Sequence, residues 1–345
     1  MRALPVHLTI DVEAAEARRR GGRVAPPLGY GPRVWGRFDN QARDLGLVRI
    51  ARDLVAHGLT ATFFVEPLGA SYFGPDGLRQ IVATLLERGQ DVQLHLHPTQ
   101  RAPDALMRGQ VPPNDDMSAY DVDEQRRLLE LGLSLLIEAG VPRARLVAFR
   151  AGNFGANNDT WRACRAAGLR LSSSYDPGYF HRACRMRHPS ARPDLFVPHE
   201  GIVELPISCV RTARGTLRHL QLTAVSSREL IHALEAMRER RFAAATLVSH
   251  SFELYTITDT AGRTGRPSVI NARRWRELLS FLARAKDRFP TETAYELAGR
   301  IGAAPLHQGA TPEPPRTRPL DEVLRHGEQA LKRLLPHWAS PWLAS

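Results

Sequence analysis

The sequence predicts an α/β fold whose parallel strands close, or nearly close, into a barrel. Short apolar runs alternate with helix-like segments through most of the 345 residues, and strands separated by helices pair in parallel. The runs are also continuously apolar rather than alternating, which is the pattern of strands buried on both faces. Seven or so such units make one large domain of barrel size. Four of the runs end in a polar residue capable of chemistry, and in these folds the site lies at the carboxyl ends of the strands.

The first strand, 4–11, runs from apolar residues into Asp11 and Glu13. The Gly-, Pro- and Arg-rich stretch 14–40 is too long for a turn and is a candidate functional loop, expected to form a lip over the site. A helix at 42–57 is predicted by Leu47, Ile50, Ala51, Leu54 and Val55 on one face, and it stops before Gly58. Strand 60–66 is β-branched and aromatic. Helix 76–88 ends at Gly89, and strand 91–96 leads into His95-Leu96-His97-Pro98. Loop 98–118 precedes a helix at 121–139 that Gly140 and Pro142 terminate. Strand 146–150 ends in Arg150, helix 157–167 stops at Gly168, and strand 169–174 follows. The stretch 175–200 is less regular. Beyond it come a strand-like run at 202–206, helix 227–240, strand 244–249 ending at His250, and helices near 271–288 and 291–301.

The predicted organisation is a barrel domain over 1–302, a Pro-rich linker over 303–319 and an amphipathic tail over 320–345. The tail carries Leu320, Val323, Leu324, Leu331, Leu334 and Leu335, with Trp338 and Trp342 after them. It is expected to pack back onto the barrel.

Net charge is +11, yet only Lys286 and Lys332 among the 47 basic residues are lysines, and the arginines are scattered along the chain. The charge therefore reads mostly as compositional background rather than a nucleic-acid surface, the alternative being that it steers an anionic substrate such as a phosphate-bearing sugar. Its densest cluster, Arg18-Arg19-Arg20 with Arg23, follows the first strand. Three widely spaced cysteines, Cys164, Cys184 and Cys209, exclude a disulfide framework and suit a reducing compartment. Asp11 comes too early for a secretory apolar region, and no run reaches the roughly 18 apolar residues of a membrane span. A cytoplasmic location is expected.

His95 and His97 lie two apart at a strand end, so their imidazoles face one point and can chelate a metal. Carboxylates at the end of a buried strand cost several kcal/mol unless they meet a cation or donors, so Asp11 and Glu13 belong to the same site. One would bind metal and the other take a proton; the spacing leaves open which. His250 and Arg150 end further strands and converge on the same mouth.

Together, Thr9-Ile10-Asp11-Val12-Glu13, Ala61-Thr62-Phe63-Phe64-Val65, Leu94-His95-Leu96-His97-Pro98, Phe149-Arg150-Ala151-Gly152-Asn153 and Leu247-Val248-Ser249-His250 resemble the ordered motifs of the polysaccharide deacetylase (NodB-homology, carbohydrate esterase family 4-like) superfamily. The resemblance spans residues 5–290 and is strongest to the group found in bacterial O-antigen and exopolysaccharide clusters. It implies a distorted (β/α)7 barrel with a C-terminal helical tail, and removal of N-acetyl groups from amino sugars by a divalent metal, with Zn²⁺ the expected ion. By the resemblance Asp11 is the general base, Arg150 orients it and His250 is the general acid. Val12 stands where the family has a metal-binding aspartate, so Glu13 is the substitute ligand. His95 is the first metal histidine; Thr99 stands at the second, leaving that role to His97. Asn153 lies where the family's Pro-Tyr segment would run and is expected to bind substrate, and Asp176 is the carboxylate that would tune the acid.

Amide hydrolysis needs an activated water, stabilisation of the oxyanion and an acid for the leaving amine. A metal with three protein ligands and an open position supplies the first two, and a histidine near its ordinary pKa of about 6.5 supplies the third. Within 14–40, Trp35 and Arg37 are the expected substrate contacts, the indole stacking on a sugar ring and the guanidinium gripping a phosphate or carboxylate. The competing role for Trp35 is to pin the loop to the barrel. The leading reading is a metal-dependent deacetylase of an N-acetylated sugar or glycan intermediate. The alternatives are a metal-dependent hydrolase of another small C–N bond, and a non-catalytic barrel that binds glycans or nucleic acid through its arginines.

Overall fold

Most strands of the barrel form from segments buried on both faces, while the two at 196–199 and 202–204 alternate buried and half-buried side chains. The strands are β1 (Val6–Val12), β2 (Thr62–Val65), β3 (Asp91–Leu96), β4 (Ala148–Ala151), β5 (Leu171–Ser172), β6 (Phe196–His199), β7 (Ile202–Glu204) and β8 (Ala245–His250). The computed structural model describes residues 2–20, 22–180, 182–199, 201–303 and 312–334. Within the sheet the order is β8-β1-β2-β3-β4-β5-β7-β6. Every neighbouring pair is parallel except β6 with β7. Seven parallel strands in chain order therefore make the wall, and β6 is an added antiparallel edge.

Strands β7 and β8 do not pair directly. The chain between them fills the gap: Ser208 donates its N–H to Thr246 O (3.2 Å), Leu222 to Val248 O (3.1 Å), and Val248 to Leu220 O (2.9 Å). These bonds satisfy the β8 backbone groups that a regular eighth strand would have taken. The predicted strand 169–174 shortens to Leu171–Ser172 because, after a last bond from Ser173 N to Phe149 O, the N–H groups of Ser174 and Tyr175 turn to the Glu204 carboxylate and Tyr175 O accepts from Ile207 N.

The helices are α1 (Leu47–Ala56), α2 (Pro75–Leu86), α3 (Val122–Glu138), α4 (Asn158–Ala166), α5 (Ser227–Glu239), α6 (Val269–Arg284), α7 (Ala294–Ala303) and α8 (Pro319–Leu334). Caps set their starts: Asp121 accepts from Glu124 N, and Asn157 with Thr160 and Ser226 with Glu229 form reciprocal capping boxes. Gly89 and Gly168 follow α2 and α4 at φ 65° and 75°, a left-handed conformation that ends a helix at little cost only in glycine. The buried faces of the helices join Leu8, Ile10, Phe63, Leu94 and Phe149 in one core.

Stretch 14–40 is a folded arm. Ala15 and Leu28 exchange backbone bonds, a hairpin pairs Arg18–Arg20 with Arg23–Ala25, and a helical turn covers Gly31–Trp35. Ala17 N bonds Pro103 O at 2.7 Å, tying the arm to loop 98–118.

Helix α8 meets α5 and α6 through charge among its described side chains; those of Leu331, Leu334 and Leu335 lie outside them. Asp321 meets Arg228 and His232, Arg325 meets Glu229 at 3.1 Å, and Glu328 meets Arg273 and Arg274. Leu320, Val323 and Leu324 face outward and are 62%, 66% and 42% exposed. The expected return to the barrel thus occurs on the opposite face of the helix, because α5 and α6 present ionic partners there. Within the linker stretch, Arg211 N bonds Pro315 O and Thr317 N bonds Arg211 O, so residues 315–317 are tied to the barrel. Trp338 and Trp342 lie outside the described residues. No described helix is long and apolar enough to cross a membrane.

Candidate metal centre and active site

Parallel strands deliver their carboxyl ends to one mouth, and the site is assembled there from β1, β3, β4 and β8. Glu13 directly follows β1, His95 is within β3, and His97 follows it. Glu13 Oε2 lies 3.3 Å from His95 Nε2 and 2.7 Å from His97 Nε2. One ligand atom from each of the three residues lies within 4.8 Å of the others. Gly152 makes room for this arrangement, because a Cβ there would stand 2.5 Å from the His97 ring.

What holds the imidazoles decides which nitrogen is offered. His95 Nδ1 lies 2.9 Å from the Arg150 carbonyl oxygen and His97 Nδ1 lies 2.8 Å from Asp115 Oδ2. Both partners are acceptors, so both Nδ1 atoms carry a hydrogen, and each imidazole that gives up its Nε2 proton would offer that lone pair on the Glu13 side. Asp115 is itself fixed by Thr99 Oγ1 at 2.6 Å and Asn153 Nδ2 at 2.7 Å. Two imidazoles and a carboxylate with their outer atoms already bonded fit a divalent cation that keeps a fourth position open.

The electrostatics agree. Burial alone would raise the Glu13 carboxyl, but the charge of His97, hydrogen bonds from His95 and His97, and Arg33 hold it well below the usual carboxylate range. Burial would lower His97, and the Glu13 and Asp115 carboxylates instead raise it well above an ordinary imidazole. Without a cation the group is thus an ion pair, and a cation would displace the His97 proton. Glu66, after β2, accepts from Leu68 N at 2.9 Å and Gly69 N at 3.1 Å. Burial still pushes it up to about 8.

Asp11 stands apart from the donor group. Its Oδ1 accepts from Arg150 Nη1 at 2.8 Å, and Oδ2 lies 3.9 Å from His250 Nε2. Arg150 is fully buried, with Ser173 O at 3.1 Å, Ser173 Oγ at 2.9 Å and its guanidinium 4.2 Å from the centre of the Phe64 ring. That packing fixes its direction, and through it the direction of Asp11.

His250 Nδ1 lies 2.9 Å from Glu253 Oε1. Glu253 is buried, and Ser249 Oγ (3.0 Å) and Gln221 Nε2 (2.5 Å) donate to it. Burial would lower His250, but the hydrogen bond and charge of Glu253, followed by Asp11 and Glu13, raise it. Its Nε2 is left facing the mouth. A carboxylate aimed by a buried arginine and an imidazole braced by its own carboxylate therefore stand at the same mouth as the donor group.

No family model and no curated protein matches this chain. Among solved structures it is similar to the 4-alpha-glucanotransferase from Thermococcus litoralis (11% identity, TM-score 0.49), covering 87% of this chain and 41% of that one. It is also similar to the peptidoglycan deacetylase PdaC from Bacillus subtilis (12% identity, TM-score 0.37; 88% of this chain and 94% of that one). A third is the chitin deacetylase from Colletotrichum lindemuthianum (10% identity, TM-score 0.36; 92% and 95%). This chain spans under half the length of the glucanotransferase. At such identities no role passes to a residue, and the site is read from its own geometry.

The remaining sequence-derived residues fall elsewhere. Trp35 is 2% exposed and belongs to the main core, so its indole pins the arm and the expected sugar contact is corrected. Arg37 is exposed and pairs with Asp44 at 3.1 Å, its guanidinium 4.8 Å from the centre of the Trp35 ring. The arm residue that reaches the site is Arg33, whose Nη2 donates to Glu13 Oε1 at 3.1 Å. Asn153, expected at the substrate, is exposed and holds Asp115. Asp176 faces His219 at 3.2 Å, and the carboxylate that touches His250 is Glu253. Asp115, Glu253, Arg33 and Glu66 went unread. Only Glu253, three residues after His250, carried a usable signal, and it was one of spacing.

Proposed function

We propose that this chain is a metal-dependent hydrolase that removes the acetyl group from an N-acetylated sugar or glycan intermediate. The reading rests above all on one observation: Glu13, His95 and His97 form a donor group with both outer imidazole nitrogens already bonded, and an oriented base and a braced acid flank it. These three residues would hold the divalent ion, Zn²⁺ by the character of the set. When bound there, such an ion polarises an amide carbonyl and makes a water acidic enough to attack it.

The chain's own groups account for the protons. Asp11, aimed by Arg150, takes the proton from the attacking water. His250, as imidazolium stabilised by Glu253, gives a proton to the departing amine nitrogen. The C–N bond breaks as that proton arrives, and acetate and the free amino sugar leave. Arg33 keeps Glu13 ionised and directed at the donor group. The free, buried cysteines suit a cytoplasmic setting, which we propose for the activity.

Acetate release from N-acetylated sugars by the zinc-loaded chain tests the reading. Chelation should abolish release and zinc should restore it. The His250→Ala variant should keep its metal and lose about 10²–10⁴-fold in kcat. Release that persists after chelation, or a His250→Ala enzyme of undiminished turnover, would refute it.

A further inference from the structure

A cleft of about 270 Å³ lies between the arm and the hairpin that pairs Tyr255–Ile257 with Gly265–Pro267. It abuts the site at two points. Arg33 lines it and donates to Glu13, and Phe252 lines it with its ring centre 4.9 Å from that of His250. Through these two side chains the cleft borders the donor group and the proposed acid.

The cleft lies just below the roughly 300–1,000 Å³ that encloses drug-sized ligands, so what it encloses is one or two sugar rings. Its charged residues are already matched within the chain. Arg18 pairs with Glu16 at 2.8 Å and Arg33 with Glu13 at 3.1 Å. Asp259 accepts from Thr264 Oγ1 at 2.6 Å and from Ala261 N at 2.8 Å. An anionic substrate would have to break one of these pairs, and a carboxylate left beside it would repel the newcomer. The net charge of +11 thus does not extend to this cleft.

We propose that the cleft selects an uncharged, N-acetylated unit of one or two sugars, as a free small molecule or a chain end, and excludes phosphorylated or otherwise anionic sugars. The proposal rests on the deacetylase reading and specifies its substrate.

Calorimetric titration of the zinc-loaded full chain tests it. The probes are N-acetylglucosamine, N-acetylgalactosamine, the β-1,4-linked di-, tetra- and hexamers of the former, and N-acetylglucosamine 6-phosphate. Affinity should rise from monomer to dimer and then stay level, and the phosphate ester should bind about tenfold more weakly than its neutral parent, a difference of about 1.4 kcal/mol. Thr256→Trp, at an exposed position of the cleft wall, should weaken dimer binding by about the same factor with metal content unchanged. Affinity that climbs through the hexamer, preference for the phosphate ester, an unaffected Thr256→Trp variant, or no binding of any probe would each overturn the proposal. Acetate release from a hexamer that binds better than the dimer would overturn it while leaving the deacetylase reading intact. Dimer binding without acetate release would support the cleft assignment and refute the activity.

Discussion

Replacing Glu253 by Gln removes the charge beside His250 Nδ1 and keeps the shape. The 2.9 Å contact is charge-assisted, and such bonds contribute about 1.5–3 kcal/mol. At about 1.4 kcal/mol per pKa unit, the imidazolium loses roughly one to two units of its stabilisation. His250 is raised in the folded chain even though burial opposes it, so in the variant the burial cost prevails and its pKa falls. The proposed acid works as imidazolium, so turnover declines as pH rises through that pKa, and the decline should begin one to two units lower in the variant. Above both pKa values kcat should drop about 10–100-fold, while below both the two enzymes should converge. The assay is kcat for acetate release against pH, with metal content measured at each point. An alkaline limb at the same pH in both enzymes, or an equal loss at every pH, would refute the assignment.

Asp115→Asn should lower metal affinity about 10–100-fold, because His97 loses the carboxylate that fixes its tautomer; unchanged retention in a competition with a chelator would count against it. Trp35→Ala should cost about 3–5 kcal/mol of stability, as emptying a buried aromatic site does, and leave sugar binding by the folded fraction unchanged. Lost affinity with an unchanged urea midpoint would return the indole to the substrate. Glu66 has a folded pKa of about 8 against an ordinary 4.5, so folding takes up a proton between those values and the metal-free chain should lose stability as pH rises across them. Glu66→Gln should flatten that slope, and denaturation midpoints with the same slope in both proteins would refute the burial argument.

The parts of the site legible in the sequence follow from strand geometry. His95 and His97 share a face because strand side chains repeat every two residues, and Asp11, Arg150 and His250 share a mouth because parallel strands end together. What could not be read depends on chain segments with no period. Asp115 reaches His97 from loop 98–118, whose course is set by where it docks. Arg33 and Arg37 lie four apart, but Gly36 at φ 65° ends the helical turn between them. Arg33 then runs under the arm to Glu13, and Arg37 turns out to Asp44. Trp35 is buried for the same local reason, since the side of a loop that faces the barrel leaves no pattern. In α8 the apolar stripe suggests the packed face, yet Arg228, Glu229 and Arg274 on the neighbouring helices select the ionic one. The barrel was legible as a run of units; its closure through Ser208, Leu220 and Leu222 was not, because those residues bond outside any regular ladder.

The most direct measurement is the divalent metal content of the purified chain and of its Glu13→Ala, His97→Ala and Asp11→Ala variants, by elemental analysis after dialysis. The wild-type chain should hold one ion, lose it on replacement of Glu13 or His97, and keep it when Asp11 is replaced. A Glu13→Ala chain that keeps its ion, or an Asp11→Ala chain that loses it, would contradict the division of the two carboxylates between metal and proton.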